Sequence, residues 1–75
     1  MVEGQEKAGS GRLTGRKLAT MRLYLANGSV HVFKYVEVLR DDGSYLQFYY
    51  VSEDNKVKYE AVFYVNSLIG CAWTV

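Results

Sequence analysis

The stretch Tyr45–Val65 reads YLQFYYVS, EDNK, VKYEAVFYV. Two runs rich in Tyr, Phe and Val flank four polar residues, the pattern of two β-strands joined by a turn. With Glu53–Lys56 as a four-residue loop, Ser52 stands opposite Val57. Tyr50 then faces Tyr59, Phe48 faces Ala61 and Leu46 faces Phe63, all on one side, because side chains alternate along a strand. The other side pairs Val51 with Lys58, Tyr49 with Glu60, Gln47 with Val62 and Tyr45 with Tyr64. A slip of one residue would exchange the faces of one strand and destroy this agreement.

Upstream, Ser29–Arg40 is a long strand whose even positions are Val30, Val32, Lys34, Val36 and Val38. Lys34 interrupts an otherwise apolar face, which predicts a bend or bulge at Phe33–Tyr35. Asp41-Asp42-Gly43 fits a three-residue loop pairing Val38 with Leu46 and Val36 with Phe48. A two-residue Asp42-Gly43 turn would place Glu37 beside Phe48 in the core, at a cost of several kcal/mol for an unpaired carboxylate. Before it, MRLYLA alternates and ends at Asn27-Gly28, a strong hairpin signal. A two-residue turn there sets Leu25 against Val30 and Leu23 against Val32.

Residues 1–20 differ in kind. Gly recurs at 4, 9, 11 and 15 among polar residues, with no sustained period. The expectation is a disordered basic arm or non-native extension, with the folded domain spanning 21–75. Lys7, Arg12, Arg16 and Lys17 oppose Glu3 and Glu6 in the arm, so the positive charge lies there. At the other end, Asn66–Gly70 reads as a 3₁₀ turn closed by glycine. Cys71–Val75 reads as a short last strand whose Trp73 plugs one end of the core.

The sum is an all-β fold: a five-stranded antiparallel meander, with a 3₁₀ turn before the last strand. That order suits a small SH3-like barrel in which the last strand returns beside the first; an open, dimerising sheet is the alternative. The likeness to SH3 barrels is architectural. The acidic and proline-bearing segments of true SH3 domains are missing, so polyproline binding does not carry over. Residues 21–75 also resemble short uncharacterised reading frames of bacterial phages and mobile elements, through NGSVHVF, DDGSYLQFYY and YEAVFYVNSLIG. That resemblance implies a fold and a genetic setting, not an activity.

The chain has 75 residues, enough for one small domain, and a net charge of +1. One Cys excludes an internal disulfide framework and suits a reducing compartment. No apolar run nears the ~20 residues of a membrane span, and no signal-peptide core is visible. The expectation is therefore a cytoplasmic protein that needs no membrane.

Chemistry-bearing residues are sparse. With one His and one Cys, a nucleophilic pair would need His31 and Cys71 adjacent, yet His31 falls opposite Tyr24 on the outer face. No CxxC or HxxxH spacing offers a metal site. Asp41 and Asp42 are better read as turn residues than as a cation pair. The expectation is no catalytic residue, no metal, no cofactor and no small-molecule substrate.

What stands out is the outer face. In these registers it carries Tyr24, Phe33, Tyr35, Tyr45, Tyr49 and Tyr64, with Leu39 and Val62. A solvent-facing side should be polar, and contiguous apolar surface marks contact sites. Two readings leave nucleic acid aside. In one, barrel closure covers this face or Tyr simply suits strands. In the other, these aromatics bind a protein partner or a second copy, making the chain a non-catalytic interaction module. The alternative function is single-stranded nucleic-acid binding, with the tyrosines stacking bases and Arg12, Arg16, Lys17, Arg22 and Lys58 meeting phosphates.

Overall fold

The computed structural model describes residues 3–75, for Glu3 the backbone only. Six antiparallel strands form one sheet: β1 (Glu3–Glu6), β2 (Lys17–Leu25), β3 (Val30–Asp41), β4 (Tyr45–Val51), β5 (Lys58–Tyr64) and β6 (Leu68–Thr74). The order across the sheet is β1-β6-β2-β3-β4-β5. The expected five-stranded barrel is thus corrected to six strands in a sheet that does not close. The last strand does return beside the strand that begins the meander, as β6 pairs with β2.

The sheet is nonetheless strongly rolled, for a simple reason of reach. A single 3₁₀ turn, Val65–Ser67, joins β5 to β6. Those strands lie four places apart in the sheet, about 19 Å if it were flat. The link from Tyr64 to Leu68 spans at most about 14 Å. Curling brings the ends within range and encloses the core. Leu18, Met21, Leu23, Val36, Val38, Leu46, Phe48, Leu68, Cys71 and Trp73 line it.

Segment 7–16 fills the mouth of the roll. Leu13 is 0 % exposed and Ala8 is buried with it. Asp41, 1 % exposed, anchors this segment. One carboxylate oxygen accepts the Gly9 N–H at 2.6 Å, the other the Leu13 N–H at 3.3 Å. The Asp41 N–H in turn donates to the Thr14 hydroxyl at 3.2 Å. The reading of 1–20 as a disordered arm is therefore corrected for residues 3–20; residues 1 and 2 lie outside the described residues. The glycines that argued against order serve close approach instead. Gly9 holds φ +94° against the Asp42 carbonyl, and Gly4 leaves room for the Trp73 indole.

The β4–β5 pairing is the expected one at every position, from Tyr45 opposite Tyr64 to Val51 opposite Lys58. The β2–β3 register differs by one residue. The turn has three residues, Ala26-Asn27-Gly28, closed by Gly28 N–H to the Leu25 carbonyl at 3.0 Å. Gly28 takes φ +91°, and the Asn27 side chain accepts the Ser29 N–H. Leu23 therefore stands opposite His31 and Met21 opposite Phe33. Val30 and Val32 turn outward, more than half exposed.

The expected irregularity lies at Tyr35, which adopts φ 53°. There β3 changes faces, so Phe33 before it and Val36 and Val38 after it all turn toward the core. This disposes of the Lys34 anomaly: Lys34 shares the outer face with Val32, not the core face. A left-handed residue other than glycine costs roughly 1–2 kcal/mol. Turning both the partly buried Phe33 and the buried Val36 and Val38 inward offsets that, since a fully buried apolar side chain is worth about 1.5–3 kcal/mol.

The β3–β4 connection is also corrected. Asp42 pairs with Tyr45 through its N–H at 3.1 Å, leaving Gly43-Ser44 as the loop. The Asp42 carboxylate accepts the N–H groups of Ser44 and Tyr45 at 2.8 and 2.9 Å. A bulge between Val38 and Arg40 restores the inner face, so Val38 meets Phe48 and Asp41 meets Leu46. Glu37 stays on the outer face, opposite Tyr49. The 3₁₀ turn comes one residue earlier than expected, and Gly70 belongs to β6 rather than closing the turn.

Candidate interaction surface

β5 ends the sheet and pairs only with β4 among the described strands. Both faces of the β4–β5 hairpin are aromatic. On the inner face a continuous row leads out of the core. Phe33 packs edge-on against Phe48 and Tyr50, each at 4.9 Å between ring centroids, and Tyr50 stacks on Tyr59 at 5.6 Å. Phe63 lies parallel to Phe48 at 6.1 Å. His31 sits between Phe33 and Phe63 at 6.5 and 6.4 Å. The row becomes exposed toward Tyr59, because among the described residues no strand lies beyond β5 to cover it.

On the outer face Tyr45 and Tyr64 meet at 5.3 Å. The Arg40 guanidinium lies 4.9 Å above Tyr45, and the Lys58 ammonium 4.5 Å above Tyr49. Lys58 also approaches Glu37 at 3.9 Å. Arg40 is ion-paired to Asp42. Three backbone and side-chain donors around Asp42, first the Tyr45 N–H, then Arg40, then the Ser44 N–H, hold its pKa down at about 2.

Of the six residues expected on a tyrosine face, the structure brings together Tyr45, Tyr49 and Tyr64 on the hairpin. Tyr35 is fully outward, 69 % exposed. It borders an open cleft of about 450 Å³ with Lys17, Glu37, Val51 and Lys58. The register that sets Val36 against Phe48 would also pair Tyr35 with Tyr49; that pair does not form, since Glu37 takes the position. Tyr24 stands apart, opposite Gly70 on β6. Phe33 is corrected to the inner face, as is His31; both follow from the three-residue turn at Asn27. The sequence places Phe48, Tyr50, Tyr59 and Phe63 on this inner face, as the structure does; only Phe33 and His31 join the row unforeseen, and Lys34 amid valines was the signal for that change of face.

The cations are dispersed. Arg12 is ion-paired to Glu6 at 3.5 Å within segment 7–16 and β1. Arg16, just before β2, accepts the Val38 N–H at its carbonyl, and Lys17 begins β2. Arg22 is opposite Ala72 on β2, and Lys58 lies over Tyr49.

His31 and Cys71 face each other across Leu23, which pairs with both. Two strand spacings separate them, about 9–10 Å between backbones, with Leu23 between. Burial, then the carboxylates of Asp41 and Glu6, push the Cys71 thiol up to about 12. The thiolate a nucleophile needs is thus suppressed. Among the described residues no cluster of three His, Cys, Asp or Glu side chains is placed to hold a metal ion. No described helix is long and apolar enough to cross a membrane. No known protein family, curated protein or solved structure matches the chain.

Proposed function

We propose that this chain is a non-catalytic protein-interaction module that binds through the aromatic β4–β5 hairpin and its free edge. One observation carries the reading. β5 is an end strand with aromatic side chains on both faces and regular pairing to β4 on one side only. Unpaired strand edges recruit strands, and Tyr and Phe bury much area at small entropic cost. A phage or mobile-element setting is part of the same proposal, and only the sequence resemblance of residues 21–75 supports it. Its single buried thiol suits the cytoplasm.

The nucleic-acid reading has weaker support. Arg40 and Lys58 already occupy ring faces of Tyr45 and Tyr49 on which bases would stack.

The test is site-specific photo-crosslinking in the source cells. A photoreactive phenylalanine analogue replaces Tyr64 on the hairpin or Gln5 on β1. Discrete protein adducts at position 64 and none at position 5 are expected. Adducts absent at 64, or identical at both positions, overturn the proposal.

A further inference from the structure

We infer that β5 pairs antiparallel with β5 of a second copy, with Ala61 opposite its own counterpart on the two-fold axis. This inference rests on the interaction reading above and names its partner. The register follows from the backbone. Ser52 N–H binds the Val57 carbonyl and Val65 N–H binds the Ser44 carbonyl, so odd-numbered residues of β5 bond toward β4 by alternation. The N–H and C=O groups of Lys58, Glu60, Val62 and Tyr64 therefore point away from the sheet.

Pairing two such edges about Ala61 matches all seven residues of β5. About eight interchain hydrogen bonds form, two for each bonded pair. On the inner face Tyr59 meets Phe63 of the second copy, extending the aromatic row across the axis. On the outer face Lys58 meets Tyr64, and Glu60 meets Val62. No like charges are opposed. A register centred on Glu60 would oppose two carboxylates, and one centred on Val62 would leave Lys58 and Tyr59 unmatched. β5 carries no proline, and it pairs with β4 without a register shift. It therefore lacks two common devices that blunt an edge.

Position 62 tests the register. Val62 is 53 % exposed and faces outward opposite Gln47, so its charge variants keep the fold. Val62→Glu places a carboxylate against Glu60 of the second copy twice over. Val62→Lys places an ammonium there. Sedimentation velocity over a wide concentration range should show a dimer that Val62→Glu weakens by about tenfold and Val62→Lys strengthens.

Independently, Ala61→Cys should oxidise to a disulfide dimer, because unbonded antiparallel partners lie about 4.5 Å apart. Val62→Cys should not, and Cys71 is buried. A chain monomeric at all concentrations, a dimer indifferent to the charge at 62, or a disulfide at 62 instead of 61 overturns the self-pairing. The photo-adduct at position 64 with a different protein would still stand in those cases, so the two failures are separable.

Discussion

Gly4 and Trp73 stand opposite one another on β1 and β6, and the indole lies in the space a Gly4 side chain would occupy. The ring thereby covers the backbone of β1 while remaining 8 % exposed in the core. A cross-strand aromatic over a glycine holds an edge strand that has little else to bury.

Gly4→Val should expel the indole or detach β1. A loss of about 1–3 kcal/mol is expected from overpacking. Trp73 is the only tryptophan, so urea unfolding followed by its fluorescence reads the loss, with a red-shifted native spectrum. An unchanged spectrum and midpoint would contradict the packing.

Asp41→Asn should loosen segment 7–16. The amide has one oxygen for the two N–H groups of Gly9 and Leu13, and its own NH₂ would face a donor. Removing a charge-assisted pair in a buried site costs about 2–3 kcal/mol. Amide exchange should quicken at Gly9 and Leu13 well before it quickens in β4. Uniform acceleration throughout would mean that Asp41 does not act locally.

Asp42 gives the fold an acid limb of defined sign. Its folded pKa, about 2, lies below the ordinary 3.8. The unfolded chain therefore binds the proton more readily. The contribution is complete above the ordinary value and is lost as pH falls toward 2. Asp42→Asn should flatten that part of the stability profile. A carboxyl titration of Asp42 by NMR centred near 4 would contradict the assignment.

Cys71 should resist alkylation while the chain is folded. Its thiol is pushed up to about 12 and is fully enclosed. Reaction with iodoacetamide at neutral pH should proceed only through unfolding and accelerate in denaturant. A fast, denaturant-independent rate would show an open route to the sulfur.

An oligonucleotide should not bind tightly to this chain. Fluorescence anisotropy at low salt, where phosphate contacts are strongest, checks this. Saturable binding lost in Tyr49→Ser would restore the nucleic-acid reading.

Local pattern carried the reading furthest where one turn governs two strands. The β4–β5 hairpin was legible in full because polar Glu53–Lys56 and the aromatic alternation agree on a single register. At Asn27-Gly28 the same logic chose the wrong turn, since two- and three-residue loops both place a glycine where positive φ is needed. The aromatic weight of Phe33 against Phe48, Tyr50 and Phe63 decided it, and those partners arrive from distant sequence. Segment 7–16 could not be read at all. Its order depends on Asp41, twenty-eight residues beyond Leu13, and glycine-rich composition looks the same whether a chain is free or fitted closely to a neighbour.

Alternation of valine, phenylalanine and tyrosine, broken by short polar turns, was enough to dictate an antiparallel β protein with Val36, Val38, Leu46 and Phe48 inside. Only the assembled sheet decided that β1 joins β6, that the roll stays open, and that β5 is left at its end. Those outcomes turn on pairings between remote segments and on how far three residues of 3₁₀ turn reach, which no local run of sequence encodes.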